Sequence, residues 1–375
     1  MQSTHTSHGK ATLAISLELS GSNWRCAVSD SRRSRPGLHK FDATEAAARL
    51  QQLRCCAEQL RAKWQLPADC EIVVIYEAGQ EGFWLARALQ ALGWRVFVVD
   101  PASVPVARQA RRAKTDRLDA LMLLQTLQQW LRGEARAVRM VRQPSVQAEA
   151  LRQLVRDRGE LQKEICQHRD RMRKLLRTVG CWQEVQADRV HELRCWDGQA
   201  LPAELMQRLQ REALRLQLVQ QQFNALQREM LAQLPEGMRE RIAHLASLRG
   251  VGWVGAMRLV LELYWRNFHN RRQVGACVGL VAQPYDSGTM RVDQGISKQG
   301  NRKVRALLIE MAWLWLRYQP GSALAQWFAR RTAANAANKR GKRIAIVAVA
   351  RRLAIALWRY LEDGVVPAGA ELKKA

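Results

Sequence analysis

The chain has 375 residues, enough for two or three domains, and it carries 60 lysine and arginine residues against 34 aspartate and glutamate residues. The resulting net charge of +26 predicts a polyanionic partner, because each neutralised phosphate releases condensed counterions. A membrane is excluded as that partner by the lack of a span: the late apolar run at 344–350 ends at two arginines, far short of a transmembrane helix.

The chain begins with a polar stretch, residues 1–10, which lacks the apolar core of a secretion signal and predicts a cytoplasmic protein. Its eight cysteines form no CxxC pair and match no zinc spacing. A disulfide framework is not expected in a chain of this size, so we interpret these cysteines as buried thiols.

Residues 11–132 are predicted to form an α/β domain of the ribonuclease H (RuvC-like) type. Alternating and helical apolar patterns predict strands at 12–19, 23–29, 38–41, 71–76 and 95–99, and helices at 46–64, 83–92 and 116–131. Three consecutive strands, followed by strands that alternate with helices, is the element order of the ribonuclease H fold.

Residues 145–235 are predicted to form a coiled-coil helical linker. Apolar residues recur every seven positions in two segments, which lie on either side of residues 180–202. This repeat is compatible with an antiparallel helical hairpin or with an oligomeric coiled coil. Solvated helices that each pack once on a neighbour would give the same periodicity.

Residues 240–362 are predicted to form an all-α-rich domain. Gly250 and Gly252 lie between two helical runs, as in a helix-hairpin-helix turn whose backbone amides approach a phosphate, although a plain interhelical turn fits equally well. No acidic residue occurs from 311 through 361, whereas ten basic residues do, which predicts a phosphate-binding surface. Four of these basic residues form a cluster: Lys339, Arg340, Lys342 and Arg343.

Four carboxylates in the first domain are candidate metal ligands: Glu18, Glu77, Asp116 and Asp119. Glu18 and Glu77 lie on strands expected to be neighbours, and the two aspartates, three residues apart, share a helix face. Hard oxygen ligands of this kind suit two Mg²⁺ ions that catalyse phosphoryl transfer. Each residue alone has a simpler interpretation, such as a helix N-cap for Asp116, a dipole partner for Asp119 and a surface acid for Glu77.

Basic residues precede and follow this acidic helix start, and they are candidates for holding the scissile strand: Arg108, Arg111, Arg112, Lys114 and Arg117. A solvated helix face is the alternative.

A glycine-rich loop is predicted between two helices in the last domain, at 277–305. Ser287 in this loop is a candidate nucleophile, and Lys298, Arg302 and Arg305 are candidates for holding phosphates. By composition alone, a serine before a glycine is more often a turn residue.

Several of these segments together resemble a known family. They are Tyr-Glu-Ala-Gly around Glu77, Lys-Thr-Asp-Arg-Leu-Asp-Ala around Asp116, Gly-Leu-Val-Ala-Gln-Pro-Tyr-Asp-Ser-Gly around Ser287, and Ile-Ser-Lys-Gln-Gly-Asn. Over roughly residues 11–320 the chain resembles the DEDD-type transposases of the IS110 insertion-sequence family, to which the pilin-gene invertases are related.

The resemblance implies a DNA transposase with a RuvC-like domain, a coiled-coil linker and a C-terminal transposase domain. It implies that Glu18, Glu77, Asp116 and Asp119 bind Mg²⁺ and that Ser287 attacks DNA to form a covalent phosphoserine. It also implies a structured guide RNA and a homo-oligomer, a dimer or tetramer. One departure is that the first acid of the family is usually aspartate, whereas this chain has Glu18, whose side chain is one methylene longer.

Two other functions remain open from the residues. A hydrolytic RuvC-like junction nuclease would use the carboxylates without the serine and would form no protein–DNA adduct. A non-catalytic nucleic-acid-binding protein would cut no DNA with or without magnesium.

Overall fold

The computed structural model describes residues 11–30, 32–33, 35–104, 115–134, 137–183, 185, 189–287, 290–333 and 338–373. The chain divides into two compact units, Met1–Pro144 and Ser145–Ala375. Among the described residues, no helix combines the length and apolarity that crossing a membrane requires.

The first unit is built on a five-stranded mixed sheet. Its elements are β1 (Thr12–Leu19), β2 (Trp24–Ser29), β3 (Gly37–Phe41), α1 (Ala46–Lys63), β4 (Glu71–Glu77), α2 (Trp84–Ala91), β5 (Arg95–Val99) and α3 (Asp116–Leu131). The strand order is β3-β2-β1-β4-β5, with β1, β2 and β3 antiparallel and β1, β4 and β5 parallel. The described strands thus confirm the predicted order of elements along the chain, and each strand boundary agrees within one residue.

Two separate cores cover the faces of this sheet. On one face, α1 and α2 bury leucines such as Leu53 and Leu85 against Ile15 and Val74. On the other face, α3 packs with the next residues along the same strands. Because side chains alternate along a strand, the two cores divide each central strand into odd and even positions.

The second unit consists of helices and one β-hairpin. Its elements are α4 (Val146–Arg177), α5 (Ala203–Gln233), α6 (Glu236–Ala246), α7 (Trp253–Glu262), α8 (Arg271–Cys277), β6 (Ala282–Ser287), β7 (Met290–Ile296), α9 (Arg302–Tyr318), α10 (Ala323–Ala333) and α11 (Lys339–Asp363). The expectation of an all-α-rich domain is therefore met by its helices, whereas the loop expected at 277–305 is wrong at β6 and β7. The prediction also missed α10 as a separate helix.

The two long helices α4 and α5 pack antiparallel. His168 of α4 lies beside Glu212 of α5, whereas Arg158, earlier in α4, lies over the ring of Phe223, later in α5. The seven-residue repeat is compatible with an antiparallel hairpin or an oligomeric coiled coil, and the structure shows the hairpin within one chain. Whether the helices also form a coiled coil between chains stays a prediction.

A buried polar network joins the two helices. His168 Nδ1 lies 2.6 Å from Glu212 Oε2, and Arg171 and Arg215 donate to the same carboxylate at 3.2 and 2.9 Å. Burial raises the pKa of the Glu212 carboxyl, but the hydrogen bonds from His168 and Arg171 outweigh burial, so that the net pKa lies below its ordinary value of 4.5. The network therefore favours the ionised carboxylate.

Replacing Glu212 by glutamine is expected to lower the free energy of unfolding of the second unit by about 1–3 kcal/mol, because it removes charged hydrogen bonds from a buried site. Since folding depresses this pKa, the stabilisation is present above the unfolded pKa of 4.5 and is lost as the pH falls through the lower folded value. Urea unfolding at neutral and acidic pH measures both effects. Glu229→Gln is the control, because Glu229 is exposed and accepts an exposed hydrogen bond from Gln233 of the same helix. An equal loss in both variants would contradict the prediction.

Candidate active site

The strand register places the two candidate glutamates next to each other. The parallel pairing of β1 with β4 aligns Ser16 with Ile75 and Leu17 with Tyr76, so Glu18 and Glu77 come next on adjacent strands. Neighbouring strands are about 4.8 Å apart, and aligned residues point to the same face. Both glutamates are half-buried. They form a pair of carboxylates at the carboxyl edge of the parallel strands.

The start of α3 covers the same face of the sheet. The Ser16 hydroxyl donates a hydrogen bond of 2.6 Å to the carbonyl oxygen of Ala120, and Ser16 shares a strand face with Glu18. Asp116 and Asp119 form the first turn of this helix, where Asp116 is exposed and Asp119 half-buried. The helix that begins with these two aspartates therefore packs on the sheet face that carries the two glutamates.

The local role of Asp116 differs from the simpler interpretation of the sequence. Thr115 is the N-cap of α3, and its hydroxyl accepts from the backbone N–H of Leu118. Asp116 is thus the first helical residue and not the cap. Both aspartates have the right sign for the helix dipole, which accounts for a small stabilisation but not for the strand-end glutamates on the same face.

The carboxylate oxygens suit a divalent cation in their chemistry. Among the described residues, no three acidic, histidine or cysteine side chains converge closely enough to form a ready-made metal site. Glu18 and Glu77 provide an adjacent pair, so a third ligand from α3 would require its side chain to turn inward.

Arg25 is a candidate that sequence analysis missed. It lies directly opposite Glu18 in the antiparallel pairing of β1 with β2, and opposed residues share a face. Only the register reveals this neighbour, because Arg25 matches no motif. Of the basic residues predicted around this site, Arg117 is exposed in the first turn of α3. The others lie outside the described residues: Arg108, Arg111, Arg112 and Lys114.

Ser287 is the last residue of β6, at the end of a β-hairpin. Its backbone pairs with that of Met290 in β7. Two exposed apolar side chains of the hairpin, Tyr285 and Val292, are paired across the strands. The predicted loop is thus a two-stranded arm that carries the serine at its end.

The base of this hairpin is held by close backbone contacts. The N–H of Lys298 donates to the carbonyl oxygen of Gly279 at 3.1 Å, and the Arg305 guanidinium donates to the carbonyls of Val278 and Gln299. Burial, and secondarily the charge of Arg302, lowers the pKa of Arg305. Arg305 therefore holds the hairpin base. The predicted phosphate contact of Arg305 would have to use its other N–H groups.

The predicted glycine turn lies between α6 and α7. Gly250 has a φ of +85°, a conformation that favours glycine, and a Cβ there would lie 3.1 Å from Cβ of Tyr318. Gly252 is the N-cap of α7 and provides no side-chain cap, so backbone amides at this helix start have no capping side-chain oxygen. This geometry suits a phosphate contact, which stays a prediction.

The basic cluster lies in the first turn and a half of α11. Its four side chains are exposed: Lys339, Arg340, Lys342 and Arg343. Cations at a helix N-terminus oppose the helix dipole. The cluster therefore costs stability locally, as expected for residues that serve an anionic partner. Lys298 and Arg302, near the hairpin base, are also exposed.

Comparison with known proteins agrees with the architecture. A family model of DEDD transposases of the IS110 type, described as Transposase, matches residues 22–180, and a second, described as Transposase IS116/IS110/IS902 family, matches residues 242–326. A Sinorhizobium fredii protein named "Putative transposase y4rJ" is 39% identical over 375 residues, 96% of this chain and 94% of that protein. The transposase for insertion sequence element IS1328 of Yersinia enterocolitica is 29% identical over 39% of this chain and 42% of its own length.

Proposed function

The chain belongs to the IS110 family of insertion-sequence transposases, and from this membership we propose how it cuts and rejoins DNA. The Ser287 hydroxyl is the nucleophile, and the acidic face formed by Glu18, Glu77, Asp116 and Asp119 holds Mg²⁺. The single observation that supports this proposal best is the register that places Glu18 beside Glu77, on the face covered by the start of α3.

The reaction is a transesterification. Ser287 Oγ forms a bond to the phosphorus of a DNA strand as one phosphorus–oxygen bond to the deoxyribose breaks, and the proton of the hydroxyl is transferred to the leaving oxygen through solvent. A strand hydroxyl later attacks the phosphoserine and restores a phosphodiester. Because one ester replaces another at each step, rejoining requires no nucleotide cofactor. Bound metal would polarise the phosphoryl oxygens.

The remaining partners follow from charge and exposed apolar surface. We assign a structured guide RNA to the basic surfaces, since a net charge of +26 suits a chain that binds a nucleic-acid backbone over a large surface. Self-association as a dimer or tetramer is supported by exposed leucines on α5, of which Leu214 and Leu218 are 66% and 55% exposed and lie one helical turn apart. An oligomer would also allow the serine and the carboxylates to come from different chains.

Ser287→Ala is expected to abolish the covalent protein–DNA adduct, because alanine lacks the nucleophilic oxygen. Wild type and variant are mixed with Mg²⁺, the circular junction DNA of the element and a transcript of its non-coding end, and adducts are resolved on a denaturing gel. Ser297→Ala is the matched control, since Ser297 lies just beyond β7 and its N–H bonds the carbonyl of Val281.

Cleavage that persists in Ser287→Ala without an adduct would contradict the serine mechanism and indicate a hydrolytic nuclease. An adduct that persists in Ser287→Ala would place the nucleophile elsewhere.

A further inference from the structure

A cavity of about 200 Å³ lies within the second unit, and Ser287 is not among its lining residues. It is lined by residues of α4, α7 and the start of α9. Four cationic and two acidic side chains line it: Arg156, Arg158, Arg258, Lys303, Glu160 and Glu262. The charges within it are therefore unequal, with two cations in excess.

The two acidic side chains already form ion pairs with two of the four cations, Arg156 and Lys303. Glu262, with a side chain only 7% exposed, accepts from Arg156 Nε at 3.1 Å and from the amide of Asn301 at 2.9 Å. Lys303 Nζ donates to Glu160 at 2.7 Å. These pairs leave the charges of Arg158 and Arg258 without a compensating carboxylate.

Arg158 and Arg258 face the cavity as an uncompensated pair. Within the part of the chain that the structure describes, neither has a carboxylate within ion-pair distance. The Arg158 guanidinium lies over the ring of Phe223 at 4.7 Å, and its Nε is buried with no hydrogen-bond partner among the described residues. Burial, and then the charge of Arg258, lowers the pKa of Arg158. An anion between the two arginines would reduce the repulsion between their charges and would accept a hydrogen bond from the buried Nε.

The wall of the cavity leaves room for such an anion. Gly159 lies in the interior of α4, where glycine is less favourable than alanine. A Cβ at this position would meet no atom within 4 Å, so the space beside it is open. The first amides of α9 are not available, since Asn301 caps those of Lys303 and Val304. The donors that remain are guanidinium groups, which match phosphate oxygens in pairs.

We propose that this cavity binds a phosphate group of a nucleic-acid backbone between Arg158 and Arg258, beside Gly159. The site anchors DNA or RNA through residues other than those of the acidic face and the serine. Its partner contacts the sugar-phosphate chain and not the base edges, so binding here is independent of sequence. Gly159 lets the backbone approach the arginines.

The test measures binding without cutting, by fluorescence anisotropy in EDTA, with a labelled duplex DNA and a labelled RNA hairpin in separate titrations. For the nucleic acid that occupies the site, Arg158→Gln and Arg258→Gln are each expected to weaken binding and to reduce the slope of log K against log salt by about one phosphate contact. Gly159→Leu is expected to weaken binding without changing the net charge. The titration that responds identifies DNA or RNA as the source of the phosphate.

Arg169→Gln is the matched control. Arg169 is exposed on the same helix, and its replacement removes the same charge outside the cavity. A wild-type slope in both cavity variants, with both nucleic acids, would overturn the proposal, as would an equal change in Arg169→Gln. Since leucine favours helix more than glycine does, Gly159→Leu keeps the test valid if an arginine variant fails to fold. Failure of adduct formation with Ser287 would leave this result unaffected, because no step of the binding assay uses the serine.

Discussion

Gly279→Ala is expected to displace the base of the β6–β7 hairpin and to abolish adduct formation. Gly279 has a φ of +65°, and a Cβ there would overlap the backbone oxygen of Gln299, lie 2.7 Å from its nitrogen and lie 2.8 Å from Nη1 of Arg305. Backbone atoms of a paired segment cannot move aside as the end of a flexible side chain can. We therefore expect a loss on the order of 3 kcal/mol in folding free energy, from the left-handed backbone and the overlap together.

Gly295→Ala is the control for this prediction. Gly295 lies in β7 with a φ of +79°, but a Cβ there would meet no atom within 4 Å. The variant is therefore expected to lose only the conformational free energy of alanine at positive φ, about 1 kcal/mol or slightly more. Thermal unfolding and the adduct assay are measured on both variants. If both lose the same stability and activity, the close approach of the 279 and 299 backbones has no special role.

Glu77→Gln is expected to lower metal-dependent DNA cleavage at least about a hundredfold. Replacing a group that only supports a metal ligand can already cost about that much. The reason is that Glu77 ends β4 on the face it shares with Glu18, where an amide would replace a charged oxygen ligand. Cleavage is measured across a Mg²⁺ titration, and Ca²⁺ binding is measured by calorimetry on the same proteins. Loss of both cleavage and ion binding identifies Glu77 as a ligand.

Glu18→Asp separates the ligand role from side-chain length, since it keeps the charge and shortens the reach by one methylene. It is expected to retain metal-dependent cleavage, whereas Glu18→Gln loses it. Glu58→Gln, on an exposed face of α1 where Glu58 pairs with Arg54, is the control and should behave as wild type. Wild-type cleavage by Glu77→Gln would remove the acidic face from the mechanism.

Local patterns in the sequence were sufficient for most elements of the first unit. The run Ile72 to Tyr76 is apolar throughout because β4 is buried on both faces, between α1 and α2 on one side and α3 on the other. The helix at 116–131 begins at the predicted residue because Thr115 caps it. Such signals lie within one element, so no tertiary information is needed to interpret them.

The hairpin shows where local patterns failed. Glycine and small polar residues at 277–305 are typical of a loop, but β6 and β7 pair with each other and their base is fastened by contacts between residues about twenty positions apart, such as Gly279 with Lys298. The pairing of Arg158 with Arg258 in the cavity joins residues even farther apart in sequence. No periodicity within one segment reports contacts of that range.

By itself the sequence determined the order of elements along the first unit, the excess of positive charge, the acidic and serine motifs and, through them, the family. Only the tertiary structure decided that Glu18 and Glu77 are aligned on one sheet face, that Arg25 faces Glu18, and that Ser287 ends a β-strand. The physical reason is that composition and periodicity act within a segment of the chain. Register and the approach of distant backbones depend instead on which segments pack together, and a shift of one residue would turn a carboxylate to the opposite face.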